Sequence, residues 1–322
     1  MVLILNESDV NELVDMKSAI SCLESAFREQ SEKRFLLPER QFFKAADNAV
    51  VRIMAASIPE LNSLGLKVLL GVPAKRAANA TYFVVLLLNP DDARLLAVIS
   101  AGRLTQLRTG AASAVATNYL ARSGILSVGV LGAGVQGYGQ LEGIHAVAKL
   151  KEALVFDIDP SRAEALTKKA TDELGVIVRP AHQMEELYAT DVISTATTSV
   201  RPLIFGEKLC AGTHVNAVGS NAPNRQEIDH SVLLKSRVFT DKTEQVLKEG
   251  GDLVIPISQG IYRPENIVGE LADVVTGKIK GRTSNSDVTL FKSVGIALED
   301  MAVARTVYEL AIRKGVGREI AF

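Results

Sequence analysis

The chain has 322 residues, with 36 lysines and arginines against 37 aspartates and glutamates, a formal net charge of −1. At roughly 100–200 residues per domain, that length suggests two domains or one large one. The balanced charge, with no basic stripe, argues against nucleic acid as a partner. Hydrophobic residues make up 47% and charged residues 23%, which excludes disordered and fibrous classes. Two distant cysteines, Cys22 and Cys210, make no disulfide framework and fit a reducing compartment. The N-terminal apolar run is too short for a signal sequence, and no stretch reaches the length of a membrane span. The sequence therefore reads as a cytoplasmic protein without a membrane partner.

In chain order, residues 8–30 predict one amphipathic helix. Ser8 or Asp9 can cap it, and Val10, Leu13, Val14, Ile20, Leu23 and Phe27 recur at near-helical spacing. From about 35 to 100 the chain becomes a series of short strand-like runs: Gln41–Phe43, Ala49–Met54, Gly65–Leu70, Tyr82–Leu88 and Leu95–Ser100. Turn-prone segments such as Asn89-Pro90-Asp91-Asp92 separate them. A mostly antiparallel sheet fits this third. Thr105–Ala121 predicts an alanine-rich helix suited to close packing.

Beyond it, apolar strands alternate with helices. Ser127–Leu131, Glu152–Phe156, Gly175–Arg179, Val192–Thr195, His214–Val218 and Arg237–Thr240 read as strands, and Gln136–Ala148 and Pro160–Leu174 as helices. That alternation marks a parallel sheet buried on both faces. Ser293–Lys314 predicts a last long helix, interrupted at most near Gly295, with Gly315 and Gly317 as stop signals.

The strongest motif is Gly132-Ala133-Gly134-Val135-Gln136-Gly137, which fits G-x-G-x-x-G between an apolar strand and a helix. Gly132 permits the tight turn, Gly134 lets backbone approach a pyrophosphate, and Gly137 lets the helix sit close to the strand. The helix N-terminus favours an anion. Asp157, 20 residues beyond Gly137, ends the next strand, where a carboxylate can accept hydrogen bonds from ribose hydroxyls. Asp157 and Asp159 would repel a 2′-phosphate, which favours NAD(H); nearby Arg162 keeps NADP(H) open.

Four cations of the first third stand in apolar or small-residue surroundings: Arg40, Arg52, Lys67 and Arg108. A charge in a buried strand is costly unless paired or functional. An arginine fork suits a carboxylate, and a desolvated lysine can move protons. A solvent-facing strand position is the competing account for Arg40 and Arg52, a surface face for Lys67, and a structural salt bridge for Arg108. His145, His182, His214 and His230 show no metal-ligand spacing with the cysteines, so no metal is expected.

Leu-Gly-Leu-Lys67, Arg108-Thr-Gly-Ala-Ala, Gly132-Ala-Gly-Val-Gln, Asn216-Ala-Val-Gly-Ser-Asn-Ala-Pro and Lys292-Ser-Val-Gly-Ile-Ala-Leu-Glu-Asp together resemble the ornithine cyclodeaminase/mu-crystallin family, nearly end to end. The resemblance implies an α/β protein of two domains. One is a Rossmann-type parallel sheet domain over residues 113–299. The other is a mixed α+β substrate-binding and dimerisation domain formed by residues 1–112 and 300–322, the N-terminal third with the C-terminal helix. It also implies a homodimer. Lys67 becomes the catalytic lysine, Arg52 and Arg108 lie at the substrate carboxylate, and Arg40 and Thr81 complete the substrate set. Arg108, Thr109, Thr195, Val218 and Ser293 join Gly132, Gly134, Val135, Gln136 and Asp157 at the cofactor.

Two departures narrow the expected activity. Where cyclodeaminases resembling this chain carry an aspartate, this chain has Asn221, placed in the catalytic set with Lys67 but unable to act as a general base. Arg52 aligns with a glutamate suited to a distal ammonium. What remains is hydride transfer to the imine of a small 2-oxo acid, forming alanine, aspartate (from iminosuccinate) or a similar L-amino acid. An ornithine-type cyclodeaminase and a mu-crystallin-like NAD(P)H and small-ligand binder are the alternatives.

Overall fold

The computed structural model describes residues 1–45, 49–71 and 81–321. They form two compact units, Met1–Arg108 with Ile296–Phe322, and Thr109–Gly295. These divisions fall at 108 and 295, against 112 and 299 expected from the resemblance.

The first unit begins with strand β1 (Val2–Leu5) and helices α1 (Glu7–Leu13) and α2 (Met16–Ser31). The single helix expected over 8–30 is thus two. Asn6, not Ser8 or Asp9, is the first cap: its Oδ1 accepts from the Ser8 and Asp9 N–H groups, and Asp9 answers the Asn6 N–H. Val14 is extended, and Asp15 restarts the helix by accepting from the Ser18 N–H at 2.8 Å. A carboxylate that competes for free N–H groups favours a cap over a helix interior.

Five strands follow: β2 (Gln41–Ala45), β3 (Ala49–Ile58), β4 (Ser63–Gly71), β5 (Thr81–Leu88) and β6 (Leu95–Ser100). Helix α3 (Gly102–Leu120) starts earlier than expected. The Glu7 carboxylate satisfies its first turn, accepting from the Gly102 N–H at 2.7 Å and the Arg103 N–H at 2.8 Å.

The second unit carries β7 (Ile125–Leu131), α4 (Val135–Val147), β8 (Lys149–Phe156), α5 (Pro160–Leu174), β9 (Val178–Pro180), β10 (Val192–Thr195) and β11 (His214–Ala217). It continues through α6 (His230–Lys235), β12 (Ser236–Thr240), α7 (Thr243–Glu249), α8 (Gly251–Ser258), β13 (Ile267–Glu270), α9 (Leu271–Val275) and β14 (Val288–Lys292). Its eight strands run parallel in the order β13-β12-β14-β11-β10-β7-β8-β9. Apolar clusters cover both faces, one around Ile193, Val215 and Leu290, the other around Val128, Val155 and Leu141. Strand order reverses at β7, which lies between β8 and β10.

The expected strand Gly175–Arg179 is displaced, because Gly175 is the left-handed C-cap of α5 (φ +67°). Ser293 is likewise no helix start. Asp241 accepts from Ser293 Oγ and from the Val294 and Gly295 N–H groups, holding a turn in which Gly295 has φ +72°. The last helix, α10 (Ala297–Lys314), begins only after that turn, and β15 (Arg318–Ile320) follows it.

Both belong to the first unit, whose sheet runs β15-β1-β6-β5-β4-β3-β2 and is antiparallel except for the parallel β1–β6 pair. α10 packs on β3 and β4, with residues 297–304 buried. The opposite face of this sheet is apolar yet only half-buried. Leu64, Leu66, Val68 and Leu70 of β4 stand opposite Leu88, Leu86, Val84 and Tyr82 of β5. No helix of the described residues is long and apolar enough to cross a membrane.

Candidate active site

Lys67 sits in the middle of β4, on the face that α10 covers, and its side chain is 2% exposed. Its Nζ lies 2.6 Å from Asp300 Oδ1 and 3.3 Å from Thr105 Oγ1. The Phe83 ring centre is 5.6 Å away. Burial lowers the lysine pKa and Arg108 and Arg40 push the same way; Asp300 opposes them, and the result is about 8. An ammonium poised there can hold a proton near neutrality and still release it.

Arg108 is bound to the same acids: Nη1 donates to Glu299 Oε2 at 2.7 Å, and Nε lies 3.1 Å from Asp300 Oδ1. Arg108 thus makes the kind of salt bridge that one account of it expected. Glu299 and Asp300 are fully buried at the start of α10. Buried charges persist only when paired and hydrogen-bonded, so these four form one unit of interaction.

Arg40, just before β2, is close enough to act on Lys67. Arg52 lies on β3, opposite Phe42 and Leu69, with its guanidinium 5.9 Å from the Phe42 ring centre. Met54 pairs with Lys67, so strand alternation puts Arg52 and Lys67 on one face. Thr81 shares that face at the exposed start of β5, opposite Gly71. It is four residues, roughly 13 Å, along the strand from Val85, the partner of Lys67. The first unit therefore gathers Arg40, Lys67 and Arg108, sets Arg52 beside them, and leaves Thr81 at the margin. In the sequence Glu299 and Asp300 only end the Lys292-Ser-Val-Gly-Ile-Ala-Leu-Glu-Asp motif, with no role given to either, and Thr105 only opens a predicted helix. The available signal was a pair of adjacent acids inside the apolar run Ile296-Ala-Leu-Glu-Asp-Met.

The other candidates lie in the second unit and, apart from Thr109 on α3, at the carboxyl ends of its parallel strands, where open α/β sheets take ligands. Gly132 follows β7 with φ +104°, and a Cβ there would stand 2.7 Å from Ala196 O. A Cβ on Gly137 would meet Gly132 O at 1.9 Å. At Gly134 an added Cβ meets only Arg162 Nη2, 3.5 Å away, so this side of the turn is open. Gly134 also caps α4 without a side-chain hydrogen bond, leaving first-turn N–H groups, including those of Val135 and Gln136, to an outside acceptor. Gln136 Oε1 is buried and meets no donor among the described residues. An open glycine, uncapped N–H groups and an unmet acceptor fit a dinucleotide pyrophosphate and ribose.

Asp157 is fixed by the same loop: Oδ2 accepts from the Ala133 N–H at 2.7 Å and Oδ1 from the Asp159 N–H at 3.0 Å. Thr109 lies on α3, its carbonyl accepting from Gln140 Nε2 at 3.4 Å. Thr195 ends β10 and donates to Glu227 Oε2 at 2.8 Å. The Val218 N–H, just past β11, donates to Thr195 O at 3.1 Å, and Ser293 Oγ donates to Asp241 Oδ2 at 2.8 Å. Asn221 is partly buried in the segment after β11.

A doubly wound parallel sheet with a glycine turn after β7, in a chain whose other unit is a mixed sheet holding a buried lysine, defines an α/β protein of the Rossmann type. Residues 2–315 match the ornithine cyclodeaminase/mu-crystallin family, and the chain belongs to that family. It is 35% identical to Thermococcus litoralis Δ1-pyrroline-2-carboxylate reductase, solved with NADH and L-proline, with a TM-score of 0.96 covering 99% of this chain and 100% of that one. The iminosuccinate reductase of Paracoccus denitrificans, solved with NAD+, is 29% identical, with a TM-score of 0.92 over 100% of this chain and 99% of that one. An archaeal alanine dehydrogenase, solved as a dimer with bound NAD, is 32% identical, with a TM-score of 0.94 over 100% and 99%.

Proposed function

We propose that this protein is an NAD(H)-dependent imine reductase that converts the imine of a small 2-oxo acid, acyclic or cyclic, into the L-amino acid. The observation that carries the reading is Lys67, buried, 2.6 Å from Asp300 and under the influence of two arginines. Bound NADH supplies the hydride. Lys67 holds the proton that the imine nitrogen takes up as its carbon is reduced. Arg52 and Arg108 grip the carboxylate, a two-oxygen group that suits a guanidinium fork. The glycine turn holds the pyrophosphate and Asp157 the ribose, which favours NADH over NADPH. Asn221 provides no carboxylate for ring closure with loss of ammonia, which argues against cyclodeamination.

The relatives named as a Δ1-pyrroline-2-carboxylate reductase, an iminosuccinate reductase and an alanine dehydrogenase support the reading, and their bound NAD(H) supports the same coenzyme here. Self-association belongs to the reading as well. The half-buried apolar face of the first unit's sheet is the kind of surface that a second copy covers, and the archaeal alanine dehydrogenase is a dimer.

The test is a panel of Δ1-pyrroline-2-carboxylate, pyruvate with ammonia, oxaloacetate with ammonia, and ornithine with NAD+, followed by NADH absorbance and amino-acid analysis. Reduction of at least one imine, without proline from ornithine, is expected. Proline from ornithine would overturn the reading of Asn221. Tight NADH binding without turnover on any of the four would make the protein a binder.

A further inference from the structure

The second unit holds a buried ionic node that the reading above leaves without a task. Glu227, Asp252 and Lys292 are all fully buried. Lys292 Nζ lies 2.8 Å from Asp252 Oδ2 and donates to Ser220 O at 2.7 Å and Ala217 O at 3.3 Å. Asp252 Oδ1 accepts from the backbone N–H groups of Glu227 at 2.7 Å and Ile228 at 3.1 Å. The Glu227 carboxylate accepts four hydrogen bonds: from Thr195 Oγ1 at 2.8 Å and from the N–H groups of Thr197 at 2.6 Å, Gly219 at 2.7 Å and Ser220 at 3.2 Å. A Cβ on Gly219 would stand 2.4 Å from Glu227 Oε1, so the loop closes directly on the carboxylate.

Three buried charges are an expensive way to fill a core, and apolar side chains of similar volume do that task at least as well. The groups this node holds lie at or beyond the last residue of a strand. Thr195 ends β10, Ala217 ends β11, and the remainder belong to the segments that follow. In a doubly wound sheet the two halves of a dinucleotide lie on either side of the point where strand order reverses. The glycine turn and Asp157 serve β7 and β8, which leaves the loops after β10 and β11 to the other half.

We propose that Glu227, held by Asp252 and Lys292, is a positioning residue that fixes the loops after β10 and β11 in the shape that receives the nicotinamide nucleoside half of the coenzyme. The inference rests on the NAD(H) reading above. Glu227→Gln tests it, because the amide NH2 would face N–H donors in place of an acceptor. Two ligands are titrated against wild type and variant: NADH by fluorescence, and ADP, which lacks the nicotinamide nucleoside, by calorimetry. NADH affinity should fall about tenfold or more while ADP affinity changes less than about twofold. Equal weakening of both ligands, or no weakening of either, overturns the proposal while leaving the NAD(H) reading intact. A wild-type protein that binds no NADH overturns both. Lys292→Met, measured in the same way, serves if Glu227→Gln does not fold. Failure of both variants to fold would assign the node to stability alone and overturn the proposal.

Discussion

Lys67 and Asp300 lie 233 positions apart in the chain, yet Nζ and Oδ1 are 2.6 Å apart in a place closed to water. Asp300 opposes the burial and the arginines that lower the lysine pKa. Lys67→Met should lower kcat/KM by about 10²–10⁴-fold, the range for loss of an acid–base group, with the NADH Kd nearly unchanged. If Lys67 gives its proton as the cationic acid, the wild-type rate should fall as pH rises through about 8. Asp300→Asn removes the influence that holds this pKa up, so the alkaline limb should move to lower pH. A limb that does not move would dissociate the lysine from proton transfer.

Asp157 joins the glycine loop to the next strand, taking N–H groups from Ala133 and Asp159. Asp157→Ser should weaken NADH binding by about 1.5–3 kcal/mol, the worth of hydrogen bonds to a charged group. NADPH, relieved of repulsion, should lose much less. Fluorescence titration of both coenzymes checks this, and a wild-type preference for NADPH would refute it.

The apolar face of β3, β4 and β5 bears on assembly. Leu66 and Val68 point to that face. If the proposed dimer forms through this face, Leu66→Asp or Val68→Asp would place a charge in it and should turn a wild-type dimer into a monomer by light scattering at micromolar concentration. A wild-type monomer would remove the basis for the face as an interface.

His214 gives a separate pH signature. Its ring lies in the sheet of the second unit, with Nδ1 3.0 Å from Thr289 Oγ1 and Nε2 3.0 Å from Asn216 Oδ1. Burial, chiefly, lowers its pKa from 6.5 to about 3. Between those values the unfolded chain binds a proton that the folded chain refuses. Stability present above pH 6.5 is therefore lost as pH falls, by up to about 1.4 kcal/mol per pH unit. Denaturant unfolding between pH 7 and 4 should show a shallower slope in His214→Gln, even if that variant is less stable at pH 7. Equal slopes would contradict the assignment.

Local signals were legible where they were complete. The bounds of helix α5 are legible because its apolar spacing runs from Pro160 to Leu174, whereas Gly175, which closes it in the left-handed region, reads as the start of a strand. The two N-terminal helices read as one because their apolar spacing continues across Val14 and Asp15, and the break depends on a cap that periodicity does not register. Strand β14, Val-Thr-Leu-Phe-Lys, gives little signal because Thr289 and Lys292 interrupt its apolar run and a stronger helical pattern follows it. At the site, Lys67 and Arg108 stood out as charges in apolar surroundings. Glu299 and Asp300 did not, since acids in a first helical turn are ordinary dipole partners. Only the long-range fold pairs them with Lys67.

The first unit is a composite of both ends of the chain: β1 pairs with β6 on one side and with β15 on the other. The second unit is continuous, so on a ribosome its sequence is complete before α10 appears. Until residues 296–320 are made, Lys67 has no Asp300 and Arg108 has neither of its acids. The helix that completes the fold of the first unit is also the one that pairs the lysine charge. A copy that stops before α10 has the complete sequence of the second unit but leaves Lys67 without Asp300, which ties the pairing of that charge to the synthesis of α10.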